Sequence, residues 1–364
     1  MTIHHDQSVT AGTHEVAMDP DESVFVRSSL TDLRGRRSLS EDDATRMMSL
    51  IFAGKVEQDE LVGYLELLVA KGASVDEVVG SARALRRTLT PLAVPFDVMD
   101  TCGTGGDRSA TFNISTVAAF VAAAAGQPVA KHGNRSSSGG VGSADVIEAL
   151  GLSIDPGIEA LIDSLHRHQF AFLFAPRFRP KAVQVSEARR RVQGPTLFNL
   201  VGPLCNPARP AFQVIGTFSE SAAQILAKAV LRLETRRTFV VTGPGGIDEL
   251  IPLGENVAFE VVGDGIRRHV FRAEHAGVQT CDLDALRGGN AETNAHIATR
   301  ILSGQRGARR DAVVMNAGLA MLAAGRAESL REGCEQCASV IDRGIARDLL
   351  ETLRNRNEGP RRDS

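Results

Sequence analysis

Residues 103–107 read GTGGD, and such a glycine cluster leaves bare backbone that a bulky anion can approach without meeting a Cβ. Shortly after it, TFNIST leads into VAAFVAAAAG, an alanine-rich run that predicts a helix with Ser115 near its N-cap and Gly126 just past its end. The first turn of that helix would offer unpaired N–H groups and the positive end of the helix dipole to the same space as the glycines, where anions collect. The loop KHGNRSSS follows QPVA, a short strand candidate, and brings Lys131, His132, Asn134, Arg135 and three serines. Together these groups suit a polyphosphate. An ordinary tight turn would account for the glycines. It would not account for a hydroxyl-rich helix start and a basic, serine-rich loop within one span the size of a βαβ unit. No GK[ST] closes the loop as in a Walker motif, and neither the spacing nor the acidic residue of a GxGxxG dinucleotide site is present.

A second chemical group lies far along the chain. RTFVVTG reads as a strand, and PGGIDEL at its end carries Asp248 and Glu249. Open α/β sheets place their sites at strand ends. Mg²⁺ prefers oxygen ligands and commonly bridges one or two carboxylates to substrate phosphates, so this pair suits a metal anchor for the polyphosphate. Adjacent acids also occur in solvated turns; it is the glycine cradle elsewhere in the chain that favours the metal reading.

The elements that must position these groups fall into two kinds. From about Phe25 to Leu89 apolar residues recur at intervals of three and four, in SEDDATRMMSLIFAG, EQDELVGYLELLVAKG and SVDEVVGSARALRRTL, which predicts helices and no strands. TPLAVPFDVMD, with prolines at 91 and 95, marks a hinge, and beyond it strand-like and helical runs alternate. The expected strands include QFAFLFAP after a helix at 157–168, then QVIGTF, RTFVVTG and a two-strand excursion in NVAFEVVGDGIRRHVFR. Helical segments near 291–302, 311–323 and 327–355 close the fold. The expected organisation is a disordered tail at 1–24, a helical domain at 25–94 joined by about 186–210, an α/β domain from 95–185 and 211–355, and a frayed tail at 356–364.

With 364 residues and 43% hydrophobic residues, the chain has enough apolar material for one large domain and a satellite. A net charge of -3 with scattered arginines gives no footprint for nucleic acid. No apolar run reaches membrane-span length and the first residues lack the core of a signal peptide, so a cytoplasmic protein without a membrane partner is expected. Cys102, Cys205, Cys281, Cys334 and Cys337 are odd in number and scattered, which disfavours a disulfide framework. The CxxC at 334–337 lies in an amphipathic helical segment without a second ligand pair and reads as helix packing rather than zinc binding.

GTGGD, TFNIST, KHGNRSSS, GSADVIEALG, FAPRF, FN followed by VGPLCNPA, and GGIDE occur in this order, and together they resemble the anthranilate phosphoribosyltransferase family over roughly residues 39–353. The resemblance implies an α/β fold: a small N-terminal helical domain and a larger α/β domain with a central, mostly parallel sheet. It further implies a site at the hinge and a homodimer formed through the helical domains. The implied reaction joins the amine of anthranilate to the phosphoribosyl group of 5-phosphoribosyl 1-pyrophosphate, in tryptophan biosynthesis, with two Mg²⁺ ions. Carried over to this chain, Gly103, Gly106, Asp107, Thr111, Asn113, Ile114, Ser115 and Thr116 would contact phosphoribosyl pyrophosphate. So would Lys131, His132, Gly133, Asn134, Arg135, Ser136, Ser137, Ser138, Gly139 and Ser143. Gly103 and Asn134 would also touch anthranilate, whose carboxylate would meet Arg189, and Ser115, Asp248 and Glu249 would hold metal.

No covalent or general acid–base residue is implied, which agrees with glycosyl transfer through an oxocarbenium-like state driven by positioning and charge neutralisation. The chain departs from the family's usual residues at Gly139, Gly140 and Val141, at Arg179 after Phe178, and at Thr242, and it carries Pro195 where arginine is common and proline also occurs. The alternatives are another aromatic amine as acceptor, or a non-catalytic paralogue that binds nucleic acid. The retained GTGGD, NIST and DE motifs on a chain without a basic composition favour the enzyme.

Overall fold

The computed structural model describes residues 19–107, 109–136, 140–179 and 183–357. Four helices come first: α1 (Pro20–Arg34), α2 (Glu41–Phe52), α3 (Gln58–Lys71) and α4 (Val75–Thr88). Local chemistry sets their starts. Ser40 Oγ accepts from Asp43 N–H at 3.1 Å to begin α2, and Ser74 with Glu77 forms a capping box at α4. The same device corrects the expected tail. Asp19 and Glu22 cap one another reciprocally and Pro20 occupies the first helical position, so α1 begins five residues before the expected Phe25.

The rest of the chain alternates: β1 (Met99–Gly103), α5 (Ile114–Ala124), β2 (Val129–Gly133), α6 (Ser143–Ala149), α7 (Ile158–His168), β3 (Phe170–Phe174), α8 (Ala175–Phe178), α9 (Val183–Arg191), α10 (Leu197–Val201), β4 (Phe212–Gly216), α11 (Glu220–Leu231) and β5 (Arg237–Thr242). There follow β6 (Asn256–Val262), β7 (Gly265–Phe271), α12 (Ala273–Ala276), α13 (Ala291–Leu302), α14 (Ala308–Ala323), α15 (Leu330–Asp342) and α16 (Ile345–Asn357). The expected single segment at 327–355 is therefore two helices, because Gly344 takes a left-handed φ of 78° and ends the first.

The strands form one sheet in the order β3-β2-β1-β4-β5-β6-β7. Pairing is parallel from β3 through β5 and antiparallel at β6 and β7. A hydrophobic core with Phe120, Val313, Leu319 and Ile341 covers one face. Alanines in α5 and α14 let backbones come close there, and a Cβ on Gly318 would lie 2.6 Å from Cys334 Sγ. Cys334 and Cys337 are buried in this core, which is the packing role expected of the CxxC.

A second core runs from Ile215, Val240 and Phe259 on the sheet through Leu226 of α11 to Met47, Leu65 and Leu85 of the helical bundle. Val185, Ala188, Leu197, Phe198 and Leu204 belong to it, so residues 183–205 pack with α1–α4 rather than with the sheet alone. Gln58 Nε2 donating to the Gln184 carbonyl at 3.2 Å and Gln184 Nε2 donating to the Ile51 carbonyl at 2.6 Å tie the two segments. This return path brings Pro195 and α10 onto the loop that follows β1, where a Cβ on Gly106 would lie 3.0 Å from Pro195 Cγ.

Candidate active site

In the sheet order the chain reverses direction between β1 and β4, and ligands of open α/β sheets bind outside the strand ends at such a switch point. Gly103 and Gly216 end those strands side by side in register. The turn after β5 fills the gap: a Cβ on Gly103 would sit 2.3 Å from Asp248 Oδ2, and one on Gly216 would sit 1.6 Å from the Asp248 carbonyl oxygen. Both positions must be glycine for the acid turn to reach the phosphate loop. Gly105 and Gly106 take φ of 64° and 85°, which turns the loop back toward these acids.

Within this corner Gly105 N–H donates to Asp248 Oδ2 at 2.7 Å and Ser115 N–H donates to Glu249 Oε1 at 2.8 Å. Asp107 joins them, its Oδ2 accepting from Ser109 Oγ at 2.6 Å and standing 3.5 Å from Asp248 N. Burial raises the Asp248 carboxyl well above the usual range, with the negative charges of Asp107 and Glu249 adding to it. Burial likewise pushes Glu249 up to about 7, against the Ser115 N–H that pulls it down. Lys131 is the nearby countercharge. It is buried, its Nζ donates to the Thr101 carbonyl and reaches Ser115 Oγ at 3.5 Å, and burial lowers its pKa while Asp100 and the acid pair raise it. Among the described residues no three His, Cys, Asp or Glu side chains are arranged to hold a metal ion alone. Mg²⁺ does not require such a cage, since it takes one or two carboxylates and completes its shell with water and substrate oxygens. Asp248 and Glu249, adjacent in sequence and crowded by Asp107, fit that demand.

The start of α5 lies beside Ser115, as expected. Asn113 is the N-cap of α5 and Ser115 lies inside the first turn, and no side chain of the cap residue closes the helix. Asn113 is drawn away instead: its Nδ2 donates to the Val141 carbonyl at 2.9 Å and its Oδ1 accepts from Asn294 Nδ2 at 2.9 Å. Ile114 and Thr116 are buried, and Thr116 Oγ1 has no hydrogen-bond partner among the described residues. Thr111 forms an isolated bridge with Arg287 and its hydroxyl stands 3.2 Å from Ser109 Oγ.

The second loop follows β2. Gly133 is required where it stands, because a Cβ there would lie 2.1 Å from Ser143 Oγ. Asn134 is exposed, and its carbonyl accepts from Ala144 N–H at 3.3 Å, next to Ser143. Arg135 is turned toward α6, paired with Asp145 at 2.8 Å and Glu148 at 2.5 Å, rather than toward the glycine loop. Ser136 is half-buried; Ser137, Ser138 and Gly139 lie outside the described residues.

At the other end of the site the charges are positive. Burial drives His132 down to about 3, helped by the cations of Arg179 and Lys131, so the imidazole is neutral; its Nε2 is buried without a partner among the described residues. Arg179 also acts electrostatically on Arg189, and burial depresses both guanidinium pKa values. Arg189 packs over the Phe198 ring at 5.8 Å. Its neighbours in sequence behave differently: Arg190 is exposed, and Arg191 pairs with Asp59 at 2.8 Å in solvent.

Several supporting residues escaped the sequence reading. Asn199 Nδ2 donates to the Thr104 carbonyl at 2.9 Å and so holds the glycine loop from α10. Asp100 is fully buried beneath that loop, accepting from Asn206 Nδ2 at 2.9 Å and His132 N–H at 3.2 Å, and burial pushes it up to about 6. A carboxylate inside an otherwise apolar strand was the available signal, since such a group must find partners.

The helical bundle, the mostly parallel sheet and the phosphate-type corner are those of a two-domain glycosyltransferase. Family models agree: residues 27–89 match the glycosyl transferase family helical bundle domain and residues 96–347 the glycosyl transferase family a/b domain. The chain is 42% identical over 336 residues to an anthranilate phosphoribosyltransferase of Pelotomaculum thermopropionicum, covering 91% of this chain and 97% of that one. It is 40% identical over 329 residues to that of Desulfitobacterium hafniense, covering 90% and 98%. The crystal structure of the Thermus thermophilus enzyme superposes with a TM-score of 0.84 at 38% identity, over 91% of this chain and 99% of that one. The chain belongs to the anthranilate phosphoribosyltransferase family.

Proposed function

We propose that the protein transfers the phosphoribosyl group of 5-phosphoribosyl 1-pyrophosphate to the amine of anthranilate, releasing pyrophosphate. The observation that carries this reading is the polarity of one site: backbone N–H groups and carboxylates at the β1/β4 switch point, and desolvated guanidiniums at the far end. In the reaction a bond forms from the amine nitrogen to carbon 1 of the ribose as the carbon–oxygen bond to pyrophosphate breaks. The electron pair leaves with pyrophosphate and the amine sheds a proton.

The work assigned to the chain is positional. Gly103, Gly106, Asp107, Thr111, Asn113 to Thr116, Lys131 to Gly139 and Ser143 would surround the phosphoribosyl pyrophosphate. Arg189 would meet the acceptor carboxylate with a planar fork of donors, with Gly103 and Asn134 beside the ring. Asp248, Glu249 and Ser115 would hold Mg²⁺, two ions in this reading, which neutralises charge on the leaving pyrophosphate. No residue is assigned a covalent or acid–base role.

A homodimer through the helical domain accompanies this proposal, supported by Val24, Val69 and Val183, large apolar side chains left exposed on that part of the chain. A cytoplasmic setting also belongs to it; among the described residues no helix is long and apolar enough to cross a membrane.

Anthranilate fluorescence provides the test. With Mg²⁺, the signal should decay only when phosphoribosyl pyrophosphate is present. No decay with anthranilate, or faster consumption of an aromatic amine lacking the carboxylate, would refute the assigned acceptor.

A further inference from the structure

The acid pair and the N–H groups of the phosphate corner are bound to each other. Gly105 N–H and Ser115 N–H, at 2.7 and 2.8 Å from Asp248 and Glu249, belong to the glycine loop and to the first turn of α5. Such donors are the ones a diphosphate would use. The fit is close, since Asp248 is wedged against Gly103 and Gly216 where no Cβ has room. Helix α5 has no cap from its own N-cap side chain, and the Glu249 carboxylate reaches its first turn from 134 residues away.

We infer that Asp248 and Glu249 act as internal anions that hold the diphosphate-binding N–H groups in shape, so that diphosphate and divalent cation must enter together. Phosphate oxygens then take over the N–H groups while the cation takes over the displaced carboxylates. This inference rests on the phosphoribosyl-transfer reading and specifies the form in which its donor binds. The physical reason is charge. A bare diphosphate must displace two charge-assisted hydrogen bonds and then sit beside Asp107, Asp248 and Glu249, whereas a cation entering with it gives the carboxylates a new partner. Asp248 and Glu249 are therefore positioning residues for Gly105 and Ser115 in addition to any hold on the metal.

The two roles differ in one measurable respect. If the acids only bind metal, their loss eases no more than a through-space repulsion of pyrophosphate in a chelator; if they are internal anions, their loss also frees the Gly105 and Ser115 N–H groups and the gain is larger. The test titrates pyrophosphate calorimetrically into the full chain, in chelator and in excess Mg²⁺, for the wild type and for Asp248→Asn, Glu249→Gln and Asp248→Ala. In chelator the variants should bind pyrophosphate at least about tenfold more tightly than the wild type, the scale of one charge-assisted hydrogen bond no longer to be displaced. In Mg²⁺ they should bind it more weakly. Chelator affinities equal to or below the wild-type value, with unchanged far-ultraviolet circular dichroism, overturn the inference. The Asn and Gln variants preserve side-chain shape, so the result does not depend on the Ala variant folding. Anthranilate consumption by the same wild-type preparation keeps the two readings apart. A wild type that does not turn over while the variants show the crossed pattern removes the acceptor assignment and leaves this inference standing.

Discussion

At the β1/β4 corner three carboxylates crowd around backbone N–H groups, whereas elsewhere Arg179 acts electrostatically on both Arg189 and a neutral His132. The corner is suited to a cation carried in with phosphates. The other end is suited to a small anion. Like charges held together in low dielectric are eased by a counter-charge, and the sign of that demand differs between the two regions.

Removing the acids tests the largest difference between the ends. Asp248→Asn combined with Glu249→Gln should lower kcat by at least about a thousandfold, ~4 kcal/mol of barrier, while circular dichroism stays native. Near-normal turnover at saturating Mg²⁺ would erase the contrast.

Asp100 extends the acidic half below the loop, and its effect is on stability. Its folded pKa is raised from 3.8 to about 6, so the folded chain holds the proton more tightly than the unfolded one. That contribution is complete below about pH 4 and is lost as pH rises through 6, amounting to roughly 3 kcal/mol. Asparagine does not titrate. The stability of Asp100→Asn relative to wild type should therefore increase between pH 4 and pH 7 by about that amount in urea unfolding; parallel profiles would contradict the assignment.

At the cationic end, Arg189→Ala should raise KM for anthranilate by about thirtyfold and leave KM for phosphoribosyl pyrophosphate within about twofold, because a contact remote from the reacting carbon is lost. Arg190→Ala and Arg191→Ala should change neither constant by more than about twofold, since exposed pairs contribute little. Equal effects from all three would move the carboxylate site elsewhere.

The smallest expected change concerns Arg179. Replacing it with leucine takes one cation from beside His132, so the imidazole pKa should rise from about 3 yet remain below 6.5, because burial is the larger cause of its depression. Ring-nitrogen chemical shifts followed against pH would report it. An unmoved His132 would show that the Arg179 cation does not act on it.

Much of this was legible in the sequence because its determinants are local. The helices of residues 41–88 announce themselves by apolar spacing and Ser caps, and the α/β half by apolar runs ending in glycine or in Asp248 and Glu249. Even the helix start missed at Asp19 was written locally, in a capping box that apolar periodicity does not register. Residue types likewise made the phosphate corner and the acid pair visible as separate motifs.

Their relation was not visible. Gly105 and Asp248 are 143 residues apart, and only the pairing of β1 with β4 and of β4 with β5 brings the acid turn onto the glycine loop. The same applies to Asn206 beneath Asp100, to Asn113 held by Asn294, and to Arg135, whose charge suggested phosphate but whose guanidinium lies on the acids of α6. Among three consecutive arginines the sequence offers no distinction of environment. Packing of α9 against the bundle decides it, leaving Arg189 half-buried over Phe198 and Arg190 and Arg191 in water. Backbone propensity and capping act over a few residues, so sequence alone determined which elements form and which groups they carry. The protonation, pairing and exposure of those groups depend on what is packed against them from distant parts of the chain, and this the tertiary structure decided.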